Sequence, residues 1–290
     1  MVGFYKKLFK DLSKEYFKDS TAENFLNYKL AVVVIEEISE DESIEEYYAL
    51  VNSAGLKINR PELLKAKYYD TRFLTLLDNI SALDELQKLN LFTAAAQNRM
   101  QDIDFVGELV SLLKFGIRDK KTGVDDLFES DITEDEYDEL FNRFKAILKI
   151  VEKFNEIYPI CETRYKQRND FYTLFGFLNE NQNLDEEALN YFYKLLVLIG
   201  EDIYPTNEDC LPLKEYARNC VTQSNSKDAR MKRIGFLNEL LLNTTNELNA
   251  TQKQIIDFYM LSYDDKKSIS GYLTLSVEKL QEIVKEPYLR

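Results

Sequence analysis

Apolar residues recur at helical spacing along most of this chain. One stripe comprises Ile103, Val106, Leu109, Val110 and Leu113, and a second comprises Phe141, Phe144, Ile147, Leu148, Val151 and Phe154. A side-chain period of three to four residues is typical of a helix with one buried face. The pattern predicts helices near 2–18, 41–53, 60–79, 81–89, 102–116, 133–156, 168–179, 184–199, 211–222, 226–242 and 276–286. The longest of them begins at a capping box formed by Thr133 and Glu136.

The segment 30–35, Leu-Ala-Val-Val-Val-Ile, departs from this pattern. Six apolar, mostly β-branched residues bounded by charge predict a strand buried on both faces, with a buried helical turn as the alternative. A lone strand needs a pairing edge. We expect a partner protein or a second copy of the chain to supply it, in preference to an in-chain strand at 272–275.

Together these elements predict a mainly α fold. We expect a multi-helix, bundle-like body with at most one or two short strands near the N-terminus. The loop 201–209 divides the chain into a helical domain at 1–200 and a C-terminal helical extension at 201–290, packed on the first. The alternative is that this loop is only a connection within one helical body.

The segment 48–63 indicates the end of one helix, a tight turn and a capped second helix. Gly55 supplies the backbone freedom of the turn. Asn59 caps the next helix, Glu62 reaches back to the cap amide, and Pro61 occupies the first turn, where a missing N–H costs nothing. Without further information this is a helical hairpin with no chemistry.

The same segment resembles the Phe-x-x-Ile-Asn-Thr-Gly-Gly-x-x-Leu-x-x-x-Glu-Leu stretch of the ParB-like N-terminal domain of GmrSD-type, modification-dependent restriction proteins. The matching positions are Tyr48 for the Phe, Asn52, Ser53 for the Thr, Gly55, Ile58 for the Leu, Glu62 and Leu63. Ala54 replaces the first glycine of the family pattern. Arg99 and Asp102 resemble the family's Arg-x-x-Asp helix start, although a helix cap plus a salt bridge also explains them. The resemblance covers roughly residues 25–233.

The resemblance implies nucleotide-dependent DNA cutting, but the residues for it are missing. The chain contains no Asp-Gly-Gln-Gln-Arg, the family's nucleotide-handling motif, and the absence of histidine excludes an HNH nuclease site. We therefore assign no catalytic residue, cofactor or metal. We expect a non-catalytic recognition or regulatory module of a restriction or phage-defence type system, which binds a partner protein or DNA. The alternative is a split or degenerate subunit of a nucleotide-dependent DNA endonuclease, active only with a partner chain.

The net charge and the cysteine content indicate which partners and which cellular compartment suit this protein. The net charge of −14 repels nucleic acid as a whole, so DNA binding would be weak and would need a local basic patch. Three cysteines without metal-ligand spacing suit a reducing cytoplasm. No apolar run is long enough to span a membrane.

Two basic clusters are candidates for phosphate contacts. They are Arg164, Lys166 and Arg168 in one segment and Arg230, Lys232 and Arg233 in the other. A solvated charged face is the alternative for both.

The acids between Asp125 and Glu139 suggest either a divalent cation site or a solvated helix start. We favour the helix start, because these carboxylates occupy neighbouring rather than convergent positions and acids are stabilised near a helix N-terminus.

Overall fold

The computed structural model describes residues 58–284. Chain contacts divide the protein into two units, Met1–Lys57 and Ile58–Arg290. The predicted helices at 2–18 and 41–53, the strand at 30–35, and the residues Tyr48, Asn52, Ser53 and Gly55 all lie outside the described residues.

The described part of the chain is mainly α, which confirms the predicted fold class. Its first half comprises α1 (Arg60–Lys67), α2 (Arg72–Ser81), α3 (Asp84–Gln87), α4 (Ala94–Asn98), α5 (Gln101–Phe115), α6 (Lys120–Ser130) and α7 (Glu134–Ile157). Its second half comprises α8 (Arg168–Glu180), α9 (Glu186–Leu198), α10 (Leu211–Val221), α11 (Lys227–Leu241), α12 (Ala250–Phe258), β1 (Lys266–Ile269), β2 (Tyr272–Leu275) and α13 (Val277–Ile283). Short 3₁₀ turns lie at Ile160–Glu162, Arg164–Lys166 and Gly200–Asp202.

Local capping sets several of these boundaries. Asn59 and Glu62 form the predicted capping box of α1, and Thr133 and Glu136 form that of α7. The single helix predicted at 60–79 is wrong, because Thr71 accepts a bond from Leu74 N–H and starts a new helix. The helix predicted at 81–89 contains only the four residues of α3. The helices α4 and α6 were not predicted.

The strands described here lie toward the C-terminal end of the chain rather than near the N-terminus. β1 and β2 form an antiparallel hairpin, turning at Ser270 and Gly271, which both have positive φ. On the other side of β2, Leu273 N–H donates to Asn243 O at 2.7 Å. The segment that the sequence offered as an in-chain partner for 30–35 is therefore already paired.

The core is built around α5 and α8. Residues 105–113 of α5 and 170–178 of α8 are all buried, so both helices are covered on every side. The predicted apolar stripe of α7 faces this centre, with Phe144 packing 5.0 Å from Phe175 between ring centroids. Further along the same stripe of α7, Phe154 stacks on Tyr193 of α9, with 4.5 Å between ring centroids.

Two glycines allow these helices to approach closely. A methyl group on Gly123 of α6 would overlap the Ser111 hydroxyl of α5. A methyl group on Gly176 of α8 would lie 2.5 Å from Ile234 Cδ1 of α11. Alanine at either position would therefore force the contacting side chain, Ser111 or Ile234, to move within a packed interface.

The connection 201–209 lies inside the second unit, because α8 packs on α11 and α9 packs on α13 across it. The side chain of Asn207 fixes this connection. Its Nδ2 donates to Asp202 O at 2.8 Å, and its Oδ1 accepts from Cys210 N–H at 3.1 Å. Among the helices of residues 58–284, none has the length and apolar content needed to cross a membrane.

Candidate functional site

Two separate pieces of the family-like pattern meet at the start of α1. The side-chain oxygen of Asn59 accepts from Glu62 N–H at 3.0 Å, and its amide donates to Arg99 O at 2.9 Å. The Arg99 Nε atom lies 3.3 Å from Glu62 Oε1. The side chains of Asn59, Glu62 and Arg99 therefore hold the start of α1 against the turn that precedes α5.

Asp102 lies in the first turn of α5 but does not cap it. The helix follows Met100, which has φ +53, and makes no side-chain capping bond. Asp102 Oδ1 is buried and makes no hydrogen bond to any described residue. The salt bridge expected in this pattern joins Arg99 to Glu62 on α1.

Next to this cluster, two acids on one face of α5 organise an ion network. Asp104 contacts Arg60 Nη1 at 3.4 Å and Lys120 Nζ at 2.6 Å. Glu108, four residues further on, contacts Lys120 Nζ at 2.7 Å and is bonded to Arg230 Nη2. Three elements, α1, α6 and α11, are thereby tied to α5 through charge.

The burial of this network makes its charges interdependent. Glu108 and Arg230 are 5% and 3% exposed, so neither can exchange its partner for water. Burial acts to lower the pKa of Lys120, but the carboxylates of Glu108 and Asp104 outweigh it and raise that pKa. Lys120 therefore stays charged at physiological pH.

Of the predicted phosphate-binding residues, Arg164 forms its hydrogen bonds inside the protein. Its Nε donates to Asp170 at 2.8 Å, and its Nη1 donates to Ile203 O at 2.8 Å and to Gly200 O at 3.2 Å. Burial alone would lower the pKa of Arg164, but the Asp170 carboxylate outweighs this effect and raises that pKa. These bonds engage Arg164 with the protein itself, so they give no support to the predicted phosphate contact.

Arg230 and Arg233 also contradict the predicted surface patch. Arg230 packs 4.0 Å above the Tyr172 ring and donates to Arg118 O at 3.0 Å, besides its bond to Glu108. Arg233 is 0% exposed and donates to Thr173, Asn219 O and Ser224 O. Both guanidinium groups hold helices together in the interior, so they are not part of a solvated face, and the predicted phosphate contacts gain no support from them.

The remaining three predicted cations differ in exposure. Lys166 and Lys232 are exposed, and Lys232 pairs with Asp228 at 2.7 Å. Arg168 is partly buried, bonded to Gln101 and placed 5.4 Å from the Phe92 ring. The six residues therefore do not form one basic surface.

The acids between Asp125 and Glu139 form contacts with several different helices. Asp125 pairs with Arg60, Asp126 pairs with Arg118, and Glu136 pairs with Lys114. Asp131 accepts from the N–H groups of Phe73 and Arg72 at 2.8 and 3.1 Å, so it caps α2 from a distance in sequence. Within the described ranges, no three such side chains converge in the way a metal ion requires.

An open, shallow cleft lies between the starts of α6 and α11. Its volume is about 580 Å³, and its lining includes Arg60, Lys120, Lys121 and Asp119, together with the loop residues 223–226. The ion network lies behind one wall, because Arg60 and Lys120 belong to both. We call this the α6/α11 cleft.

Sequence reasoning missed the ion network, although one signal was present. Glu108 is the only charged residue in the otherwise apolar and small run 105–113, and such an acid needs a buried cation. Nothing in the sequence indicated that this cation lay in α11.

Comparison of the chain with models of protein families, with curated proteins and with solved structures yields no match.

Proposed function

We propose that this protein is a non-catalytic recognition or regulatory module of a restriction or phage-defence type system. It acts in the cytoplasm by binding a partner protein. The proposal rests on the resemblance of 48–63 and of Arg99 and Asp102 to GmrSD-type proteins, in a chain without histidine and without the family's Asp-Gly-Gln-Gln-Arg motif.

The pairing of Glu62 with Arg99 is the observation that supports it best. Glu62 and Arg99 belong to separate pieces of the family-like pattern, and their pairing holds α1 against the turn that precedes α5. Side chains engaged in this way serve the architecture of the unit rather than presenting free groups to a substrate. In this proposal, the family-like residues Glu62 and Arg99 stabilise the fold of a binding unit.

A protein partner is favoured over DNA by the location of the cations. Three of the six arginines and lysines expected to meet phosphate are bonded inside the protein, and the chain carries a net charge of −14. Nonspecific DNA affinity comes from accessible cations and falls when they are withdrawn from the surface. The predicted strand at 30–35 is the proposed contact segment, either for a partner or for a second copy of the chain.

Copurification from the native host tests this proposal. The tagged protein should retain a specific partner, while the protein alone should neither cut DNA nor hydrolyse nucleotides. Val33→Lys should abolish retention of the partner. Leu211→Lys, which places the same charge at a half-exposed apolar position of α10, should not.

Two results would contradict the proposal. A lone protein that shifts DNA with the affinity of a specific binder would replace the protein partner with DNA. A partner whose addition produces nucleotide-dependent DNA cutting would make the chain a split or degenerate endonuclease subunit. Light scattering separates a second copy of the chain from a different partner.

A further inference from the structure

A groove with apolar walls lies where α10, α11 and α12 pack together. Its volume is about 350 Å³, within the range of about 300–1,000 Å³ that is usual for small-molecule sites. The walls include Leu211 and Pro212 of α10 and Phe236 of α11, and the Phe236 ring packs on Tyr216 with 5.0 Å between centroids. Leu211 is 52% exposed, so part of this apolar lining is accessible from solvent. We call this the α10/α11 groove.

Gly235 of α11 gives this groove its room. A methyl group on Gly235 would meet no heavy atom within 4 Å, whereas a methyl group on Gly123 or Gly176 would overlap a side chain of the neighbouring helix. Among the glycines inside the described α-helices, Gly235 is thus the one whose missing side chain faces open space. Glycine in a helix interior is less favourable than alanine, and helix packing gives no reason for it at this position. The space that it leaves is available to a ligand.

Two carboxylates supply negative charge beside this apolar lining. Glu239 of α11 is held in place by the Thr251 hydroxyl, which donates to its Oε2 at 2.6 Å and leaves Oε1 able to accept. Glu215 of α10 is exposed and forms no ion pair with any residue of 58–284. Lys232, the one cation of the lining, is already paired with Asp228 at 2.7 Å. The groove therefore offers acceptors for a cation next to space for an apolar group.

From these features we infer that the α10/α11 groove binds a small organic amine with an apolar body. The apolar body lies over Gly235 and Phe236, and the ammonium group donates to the carboxylates of Glu215 and Glu239. Hydrogen bonds between charged groups are stronger than neutral ones, so they fix the orientation of the ligand. A protein with a net charge of −14 also concentrates small cations near its surface. The inference concerns a small ligand rather than a partner protein, so it goes beyond the proposed function and does not depend on it.

NMR titration of the full chain with 2-phenylethylamine and with hexylamine at neutral pH tests this inference. We expect saturable binding of at least one amine, and binding of 2-phenylethanol, which has the same ring without the charge, that is weaker by on the order of ten-fold. Glu215→Gln should weaken amine binding by a similar factor, because it removes a charged acceptor. Glu187→Gln makes the same change at an exposed position of α9 outside the groove and should leave affinity within about two-fold.

A leucine at position 235 separates binding from folding. Gly235→Leu fills the open space, so it should abolish amine binding while the protein melts no lower than the wild type. Ala66→Leu adds the same side chain at an exposed position of α1 and should leave binding unchanged. Absence of saturable binding of both amines to the wild type would overturn the inference. Amine binding that survives Gly235→Leu, or 2-phenylethanol binding as tight as that of 2-phenylethylamine, would overturn it equally.

Discussion

The ion network on α5 makes a quantitative prediction about Glu108. Glu108→Gln keeps the shape of the side chain but removes the charge that Lys120 and Arg230 share. Lys120 keeps Asp104 at 2.6 Å as a partner. Arg230 keeps the Arg118 carbonyl oxygen and the face of the Tyr172 ring, neither of which carries a full negative charge.

The expected loss follows from this asymmetry. Removing one partner of a buried ion pair costs about 3–5 kcal/mol, because it leaves a charge without compensation in the interior. The retained contact between Lys120 and Asp104 places Glu108→Gln near the lower end, at about 3 kcal/mol. With an m value of about 3 kcal/mol/M, the urea midpoint should fall by about 1 M.

Urea unfolding followed by circular dichroism measures this loss. Asp126→Asn provides a matched control, since it makes the same acid-to-amide change in a half-exposed pair with Arg118, and it should cost less than about 1 kcal/mol. Replacing both members of the buried pair, as Glu108→Leu with Arg230→Met, should cost less than Glu108→Leu alone. A Glu108→Gln protein within about 0.5 kcal/mol of the wild type, or strictly additive single changes, would refute a buried and coupled network.

Three further predictions test packing, pH dependence and thiol reactivity. Gly235→Ala places a methyl group where no heavy atom lies within 4 Å, so it should stabilise the fold by about 0.5–1 kcal/mol. Gly123→Ala should instead destabilise the fold by about 1–3 kcal/mol. Equal shifts of the two variants in thermal melts would contradict the close approach of α5 and α6. Burial acts to raise the pKa of Asp131, but the backbone N–H groups at the start of α2 outweigh it and lower that pKa. Its carboxylate therefore stabilises the fold above the unfolded-state pKa, and this contribution is lost as pH falls through the folded-state pKa. Asp131→Asn should consequently lose stability at neutral pH and decline less steeply below about pH 4; unfolding curves that stay parallel to the wild type across this range would argue against the cap. Cys220 is partly buried, and burial raises the pKa of its thiol to about 12. A thiolate-selective reagent at mildly alkaline pH should therefore label Cys220 more slowly in the native than in the unfolded protein, and equal labelling rates in mass spectra would contradict this expectation.

Local sequence signals explain the parts of the fold that were predicted. The capping boxes at Asn59 and Thr133 each involve residues three positions apart, so the sequence contains both partners. The apolar stripe of α7 was equally visible, because its period persists from Phe141 to Phe154, about four helical turns. Helices 102–116, 168–179, 184–199, 211–222 and 226–242 were predicted to within a few residues for the same reason.

Long-range contacts explain the parts that were not predicted. The start of α2 is capped locally by Thr71 and also by Asp131, and the bond from Phe73 N–H to Asp131 spans 58 residues. Arg230 was assigned to the surface because its partner Glu108 lies 122 residues away. The hairpin was missed as well, because residues 266–268 of β1 are polar and exposed and show no alternation.

The buried arginine of α11 bears on how relatives of this protein would be recognised. Arg233 donates through a planar fork to a hydroxyl and to carbonyl oxygens of two chain segments. Lysine offers one ammonium group and cannot reproduce that geometry. Homologous chains should therefore vary together at the α11 arginines and Glu108, and hardly at all toward lysine, even where their surfaces have diverged widely. A sequence pattern based on these buried charged residues would identify more distant relatives than a pattern based on exposed residues.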